Sequence, residues 1–139
     1  MKANILTMSL IAISIASYAQ QAVKDKVPAA VQSSFSKMYP LAGKVTWGKE
    51  DGNYEASFIK DKVSHSVLID GHGKVIETEV GITFRELPLA TRQYIAAHFK
   101  NAKITETARI TDSKGKVTYE AEINRKDVLF NDKGIALKP

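Results

Sequence analysis

Three histidines are the first residues that could hold a metal ion or transfer a proton: His65, His72 and His98. No two of them have the i, i+4 spacing that places two zinc ligands on one face of a helix. The sequence contains no cysteine, so thiolate metal sites and disulfides are both excluded. We therefore expect no metal site and no cofactor. His98 is expected to stabilise a helix end, and His65 to lie in a core.

Two pairs of glutamates could act as acid and base. Glu77 and Glu79 lie two residues apart on a predicted strand, as do Glu120 and Glu122, so each pair shares one face of its strand. General acid catalysis needs a carboxyl group whose pKa is raised in an apolar pocket. Because these glutamates alternate with apolar residues, we expect them to face solvent beside lysines. The serines lack the context of a nucleophile elbow, and no glycine-rich phosphate loop follows a strand. We predict that the protein is not an enzyme.

Recognition of a partner is the remaining chemistry. Trp47 is the only tryptophan, and tryptophan often anchors binding surfaces, although burial beside Val45 is the alternative. The charged hairpin tip around Gly52 and the polar face of a predicted sheet are the other candidate surfaces. The candidate partner-binding residues are Trp47, Asp51, Asn53, Glu55, Ser57, Glu120 and Glu122.

The N-terminus has the pattern of a signal peptide. Lys2 forms a short basic region, and residues 5–16 form an apolar run interrupted only by threonine and serine. Ser17 and Ala19 are small residues at the two positions that a signal peptidase reads, so cleavage is expected between Ala19 and Gln20. The run of about a dozen apolar residues is shorter than the ~20 that cross a bilayer. We expect an exported, periplasmic or secreted protein with no membrane span after signal removal.

Length and charge restrict the remaining possibilities. The signal peptide takes residues 1–19, and residues 20–139 are enough for one domain with its own core. The formal net charge of +5 at pH 7 is mild and spread along the chain, which favours solubility over a specific polyanion site. Nucleic acid is not expected as a partner, because the protein is expected to leave the cytoplasm and no basic helix or RNA-binding aromatic motif is present. The oligomeric state stays open.

The chain contains an internal repeat. Val27-Pro28-Ala29-Ala30 recurs as Leu87-Pro88-Leu89-Ala90, and each proline suits the first turn of a helix. Apolar residues follow at helical spacing, and Lys44-Val45 or Lys103-Ile104 then opens a strand. The sequence therefore predicts a helix at the start of each copy.

The match continues through the strands. Tyr54-Glu55-Ala56 recurs as Tyr119-Glu120-Ala121, and Val67-Leu68-Ile69 as Val128-Leu129-Phe130. A fourth strand is expected in each copy, spanning residues 74–82 in the first and a shorter 135–138 in the second. We predict an α+β fold, a tandem repeat of about residues 27–82 and 87–138. It should form one extended antiparallel sheet with helices on one face, and each repeated tyrosine should pack toward the helices.

The strand and turn pattern resembles a PepSY domain. The residues that carry the resemblance are Tyr54-Glu55-Ala56-Ser57-Phe58 and, after a turn, Val67-Leu68-Ile69-Asp70-Gly71-His72-Gly73-Lys74-Val75-Ile76. Two such units after a signal peptide resemble the PepSY-like proteins grouped with β-lactamase inhibitor proteins (BLIP-like), exported by Bacteroides-type bacteria. The resemblance implies a non-catalytic binding or inhibitory module that uses its sheet surface and hairpin loops. No residue of this chain matches an inhibitory loop one by one.

The leading hypothesis is an exported module that binds a protein or peptide partner, with inhibition of an envelope enzyme as one form of that function. Two alternatives remain open. The first is an envelope sensor of a small ligand or ion, which requires a pocket with converging polar groups. The second is a structural homo-oligomer that pairs its free sheet edges.

Overall fold

The computed structural model describes residues 27–137. The predicted signal peptide and its cleavage site at Ala19 and Gln20 lie outside this range. In chain order the elements are α1 (Ala29–Met38), β1 (Val45–Glu50), β2 (Asn53–Lys60), β3 (Val63–Ile69), β4 (Val75–Gly81), a 3-10 helix (Phe84–Glu86), α2 (Leu89–His98), β5 (Ile104–Asp112), β6 (Val117–Ile123) and β7 (Lys126–Asn131).

The strands form one seven-stranded antiparallel sheet whose order follows the chain, β1 to β7. Within residues 27–137, two α-helices accompany the sheet, so the predicted α+β class is confirmed. The fourth strand expected at residues 135–138 is not formed within residues 27–137. Ala136 instead makes an isolated bridge to Phe130.

The described residues divide into two compact units. The first unit contains residues 27–81 and 110–116, and the second contains residues 82–109 and 117–137. Each unit has its own hydrophobic core cluster. One division between the compact units falls at residue 82, and the end of β5 belongs to the first unit.

In the first unit, aromatic packing joins α1 to the sheet. Pro28 precedes the helix, where its missing N–H is not needed, and its carbonyl accepts from Gln32 N at 3.0 Å. Val31 and Phe35 form the buried face of the helix. The Phe35 ring meets Trp47 and Phe58 edge to face, with ring centroids 5.4 and 5.3 Å apart. Such contacts bury large apolar areas and fix the helix on this face of the unit.

In the second unit, α2 also packs against a core cluster, through different side chains. The Pro88 carbonyl accepts from Arg92 N at 3.1 Å at the start of α2. Thr91 and Ile95 are the buried residues of the helix. The Tyr94 ring meets Phe130 edge to face at 5.7 Å. The core cluster of this unit comprises Leu87, Ile95, Ala121, Ile123 and Phe130.

The hairpin that follows the tyrosine has the same register in each unit. In the first, Tyr54, Glu55 and Ala56 lie opposite Ile69, Leu68 and Val67. In the second, Tyr119, Glu120 and Ala121 lie opposite Phe130, Leu129 and Val128. Tyr54 and Tyr119 each pack against the core cluster of their own unit, as the sequence predicted.

One type of turn occurs three times. The Oδ1 atom of Asp70 accepts hydrogen bonds from the backbone N–H groups two and four residues later. Asp112 and Asn131 do the same in their turns. The third residue after each has positive φ and is glycine: Gly73, Gly115 and Gly134. The aspartate or asparagine therefore caps the turn, and glycine supplies the left-handed backbone.

Gly73 and Gly115 offer a matched test of close packing in the first unit. Their φ angles are +88° and +81°, but a Cβ at Gly73 would lie 2.8 Å from the Ala30 carbonyl oxygen, whereas a Cβ at Gly115 meets nothing within 4 Å. We expect Gly115→Ala to lower the free energy of unfolding by about 1 kcal/mol, the cost of left-handed alanine. Gly73→Ala should cost about 2 kcal/mol more, because α1 must shift. Urea denaturation measures both, and equal losses would contradict the close approach of α1 to this turn.

Candidate functional site

In the first unit, one face of the sheet carries a set of polar and acidic side chains. Trp47, Ala56 and Val67 lie opposite one another and belong to the core cluster, so their neighbours along each strand point to the other face. We name this second set the acidic face. It comprises Thr46, Gly48 and Glu50 of β1, Asn53, Glu55 and Ser57 of β2, Ser66 and Leu68 of β3, and Glu77 and Glu79 of β4.

The register places glutamates on both sides of a buried leucine. Glu55 and Glu77 both lie opposite Leu68, one on each neighbouring strand. Leu68 is only 1% exposed, although it is outside the core cluster. Glutamate has an aliphatic stem that can cover apolar surface while its carboxylate reaches outward. The acidic face is therefore half-buried and crowded with side chains.

This crowding raises the pKa of three carboxyl groups. Burial raises the pKa of Glu50 to about 7, and the negative charges of Glu55, Asp51 and Glu77 add to the effect. Burial also raises the pKa of Glu55, where a hydrogen bond from Ser66 acts in the opposite direction. The pKa of Glu77 is raised by burial and then by the charges of Asp112 and Glu55. Each of these groups disfavours ionisation of its neighbours.

Two oxygen atoms of this cluster lack hydrogen-bond donors. Glu50 Oε1 and Glu77 Oε1 are buried, and neither has a hydrogen-bond partner among residues 27–137. A buried acceptor without a donor costs free energy, more so when the group is ionised. A donor supplied from outside the chain would therefore gain more here than at a fully solvated carboxylate.

The expectation that the glutamate pairs face solvent was wrong. Glu79 is 6% exposed and Glu120 is 1% exposed, while Glu77 and Glu122 are half-buried. Strand alternation predicts which residues share a face, and that part of the prediction is consistent with the register. It does not predict how closely side chains of neighbouring strands cover one another on that face.

The second unit has its own acidic positions. Glu120 lies opposite the half-buried Leu129, and Glu122 lies opposite Asp127. The Thr105 hydroxyl donates to Glu122 Oε1. Glu120 thus occupies the same register position in its hairpin as Glu55 in the first unit.

The structure separates the predicted partner-binding residues into groups. Trp47 is 7% exposed and belongs to the core cluster, so its ring is buried beside the helix. Asp51 is exposed in the β1–β2 turn, and Asn53 lies half-buried opposite Glu50. Glu55 and Ser57 are half-buried on the acidic face, which also brings in Glu77.

Glu50 was missed as a site residue, although a signal for it was present. A two-residue Asp51-Gly52 turn sets Glu50 opposite Asn53, so the register of the hairpin could have been used to find it. Glu77 was considered only as a catalytic group. Its position beside Leu68 depends on the β3–β4 register, which shifts between Leu68 and Ile69 and is therefore hard to derive from the sequence.

The histidines do not assemble into a site. His65 stacks on Phe58 with ring centroids 5.3 Å apart, and burial beside the core lowers its pKa. His98 stacks on Tyr94 near the end of α2. Within residues 27–137, no group of three histidine, aspartate or glutamate side chains is arranged to hold a metal ion. In the same range, no helix has the length and apolar character to cross a membrane.

Solved structures with the same fold come from Bacteroides species. A proposed periplasmic protein from Bacteroides eggerthii aligns with a TM-score of 0.73 at 21% identity, over 81% of this chain and 86% of its own. A DUF2874 family protein from Bacteroides uniformis aligns with a TM-score of 0.70 at 24% identity, over 80% and 86%. A BLIP-like protein from Bacteroides fragilis aligns with a TM-score of 0.63 at 19% identity, over 80% and 84%.

These similarities concern the fold. The chain has the fold shared by DUF2874 and BLIP-like proteins, so the resemblance to BLIP-like proteins of Bacteroides is confirmed. Scans of the sequence against family models and against curated proteins find no match. The PepSY-like character and the tandem repeat stay predictions.

Glu50→Gln tests whether burial and charge repulsion at Glu50 destabilise the fold. The folded pKa is about 7 against an ordinary 4.5, so ionisation opposes folding increasingly as the pH rises from 4.5 to 7. At pH 8 we expect the variant to unfold with a free energy about 1 kcal/mol higher than the wild type, a figure reduced for solvent screening. At pH 4 the two proteins should be nearly equal.

Denaturant unfolding at pH 4 and pH 8 measures this difference. Asp61→Asn is the control, because Asp61 is an exposed turn residue of the same unit, and its effect should stay within about 0.5 kcal/mol. A Glu50→Gln variant that is less stable than the wild type at pH 8 would contradict the repulsion.

Proposed function

We propose that this chain is a non-catalytic module of the bacterial envelope that binds a protein or peptide partner through its acidic face. Basic side chains of the partner would donate hydrogen bonds to the carboxylate cluster and offset its negative charge. The observation that carries the proposal is the pair of buried, donor-less oxygens, Glu50 Oε1 and Glu77 Oε1, on the sheet face opposite the core of the first unit. Lysine and arginine offer donors together with the charge that relieves the repulsion.

An extended segment of a partner suits the geometry better than a bare cation. The described residues offer no group of three ligands for a metal ion. Glu50, Glu55 and Glu77 instead lie on three different strands. Neighbouring strands are about 4.8 Å apart, so the carboxylates span a width that suits several side chains of one chain. Charge complementarity then decides the register and the choice of partner.

The periplasmic location is part of the proposal. Residues 1–19 have the pattern of a signal peptide, and the solved structure from Bacteroides eggerthii is described as a proposed periplasmic protein. The BLIP-like structure from Bacteroides fragilis supports a protein partner. Inhibition of an envelope enzyme is one form that such binding takes.

We also propose that the two units are copies of one PepSY-like repeat. Beyond the shared register, a side chain of each helix donates to the carbonyl of the residue before the proline. Gln32 Nε2 donates to the Val27 carbonyl at 2.8 Å, and Arg92 Nε donates to the Leu87 carbonyl at 3.2 Å. Matching contacts made by different residue types support duplication followed by divergence.

A peptide titration tests the binding surface. The probe is a nine-residue peptide of alternating arginine and serine, added to ¹⁵N-labelled mature protein at pH 7.5 and low salt. We expect the amide shifts that change to concentrate on β1, β2 and β4, and we expect salt to weaken binding. The double variant Glu50→Gln, Glu77→Gln should bind about tenfold more weakly, because it lacks two charge-assisted hydrogen bonds.

Two controls separate this result from general attraction. Asp61→Asn should bind the arginine peptide as the wild type does. A glutamate–serine peptide of the same length should not bind. Shift changes confined to other surfaces, or equal affinity of the double variant, would refute the acidic face as the binding surface.

A further inference from the structure

The carboxyl groups of the acidic face lie among other negative charges. Glu50 is followed directly by Asp51 in the turn, and it is diagonal to Glu55 on the neighbouring strand, within reach of a long side chain. The charges of Glu55, Asp51 and Glu77 all act on Glu50. On the far side of the cluster, Asp112 acts on Glu77.

The remaining groups around the cluster are either polar or occupied elsewhere. Ser66 of β3 donates to Glu55, and Glu79 of β4 is buried one row further along the same face. The positive charges of Lys114 and Lys116 act on Asp112, whose Oδ1 accepts from their backbone N–H groups. The ammonium group of Lys49 lies over the Tyr54 ring at 4.9 Å, on the core side of the sheet. The charged side chains that act on the pKa of Glu50 are therefore all negative.

We propose that the Glu50–Glu55–Glu77 cluster is a proton-operated switch that controls binding of a basic partner at the acidic face. The inference rests on the proposed function, because it concerns the regulation of the same surface. With a proton bound, the cluster has one negative charge fewer and holds a cationic segment weakly. After the proton leaves, the same oxygens attract and accept from arginine or lysine.

The pH dependence follows from linkage between two events at the same carboxyl group: protonation of Glu50 and binding of a basic side chain. The pKa of Glu50 is about 7 in the free protein, whereas a guanidinium beside it favours the ionised carboxylate and brings the pKa down. Binding therefore releases a proton wherever the pH lies between the bound and free pKa values. In that interval the affinity rises up to about tenfold per pH unit for one proton, and it levels off above pH 7.

The periplasm of a bacterium exchanges small molecules and protons with its surroundings, so a switch near neutral pH would respond to the external medium. A shift of one carboxyl group is enough for this response. The buried oxygens on Glu50 and Glu77 place this response on the acidic face.

Titration of the free protein gives the first test. Carbon-13 resonances of the glutamate side-chain carboxyl groups are followed from pH 4 to pH 9, and Glu50→Gln assigns its resonance by deletion. We expect Glu50 to titrate close to pH 7 and to move at least one pH unit lower with saturating arginine–serine peptide. Titration of every glutamate below pH 5.5 in the free protein would overturn the switch.

Peptide affinity at pH 5.5 and pH 7.5 gives the second test. The probe is again the arginine–serine peptide, whose arginine side chains stay charged at both values. The wild type and Asp61→Asn should bind at least about fivefold more tightly at pH 7.5, whereas Glu50→Gln should change by less than about twofold. The variant also separates Glu50 from the three histidines, which it leaves intact.

The outcomes distinguish the two proposals. Peptide binding at the acidic face with the same affinity at both pH values would overturn the switch and leave the proposed function standing. A glutamate that titrates near pH 7 without any peptide binding would overturn the proposed function, and with it the link between proton and partner.

Discussion

The pairing of Ala56 with Val67 determines both faces of the first unit. These two residues are fully buried opposite each other and beside Trp47, so the strands cannot slip by one residue without moving the core side chains to the other face. The same pairing places Glu55 beside Leu68 on the acidic face. The packing that holds α1 on the sheet therefore also assembles the carboxylates, and no separate interaction is needed to bring them together.

The first unit contains two pH-dependent contributions of opposite direction. The raised pKa of Glu50 means that ionisation opposes folding as the pH rises toward 7. The lowered pKa of His65, due first to burial beside the core, means that protonation opposes folding as the pH falls through its ordinary value of 6.5. The histidine contribution follows from packing against Phe58. The glutamate contribution arises on the acidic face, where burial and neighbouring negative charges raise the pKa of Glu50.

The sequence predicts the elements better than the site. Proline at each helix start, the Tyr-Glu-Ala strands and the glycine turns were sufficient for the helices, hairpins and α+β class, because these are local signals. An isolated bridge at Ala136 stands where a short strand was predicted, because period-two alternation over so few residues is a weak strand signal. Glu50 and Glu77 depend on registers across three strand pairs, one of which carries a shift. Charge crowding is a property of such registers and cannot be obtained from alternation along one strand.

The capped turn at Asp70 has a consequence for the chemical lifetime of the chain. Aspartate followed by glycine converts to isoaspartate when the glycine nitrogen attacks the side-chain carboxyl carbon, and a protonated, mobile carboxyl group reacts fastest. Here Oδ1 of Asp70 is held by the N–H groups of His72 and Lys74, and these bonds hold the pKa of the carboxyl below its usual range. The turn between β3 and β4 thereby slows conversion of its own Asp70-Gly71 bond to isoaspartate.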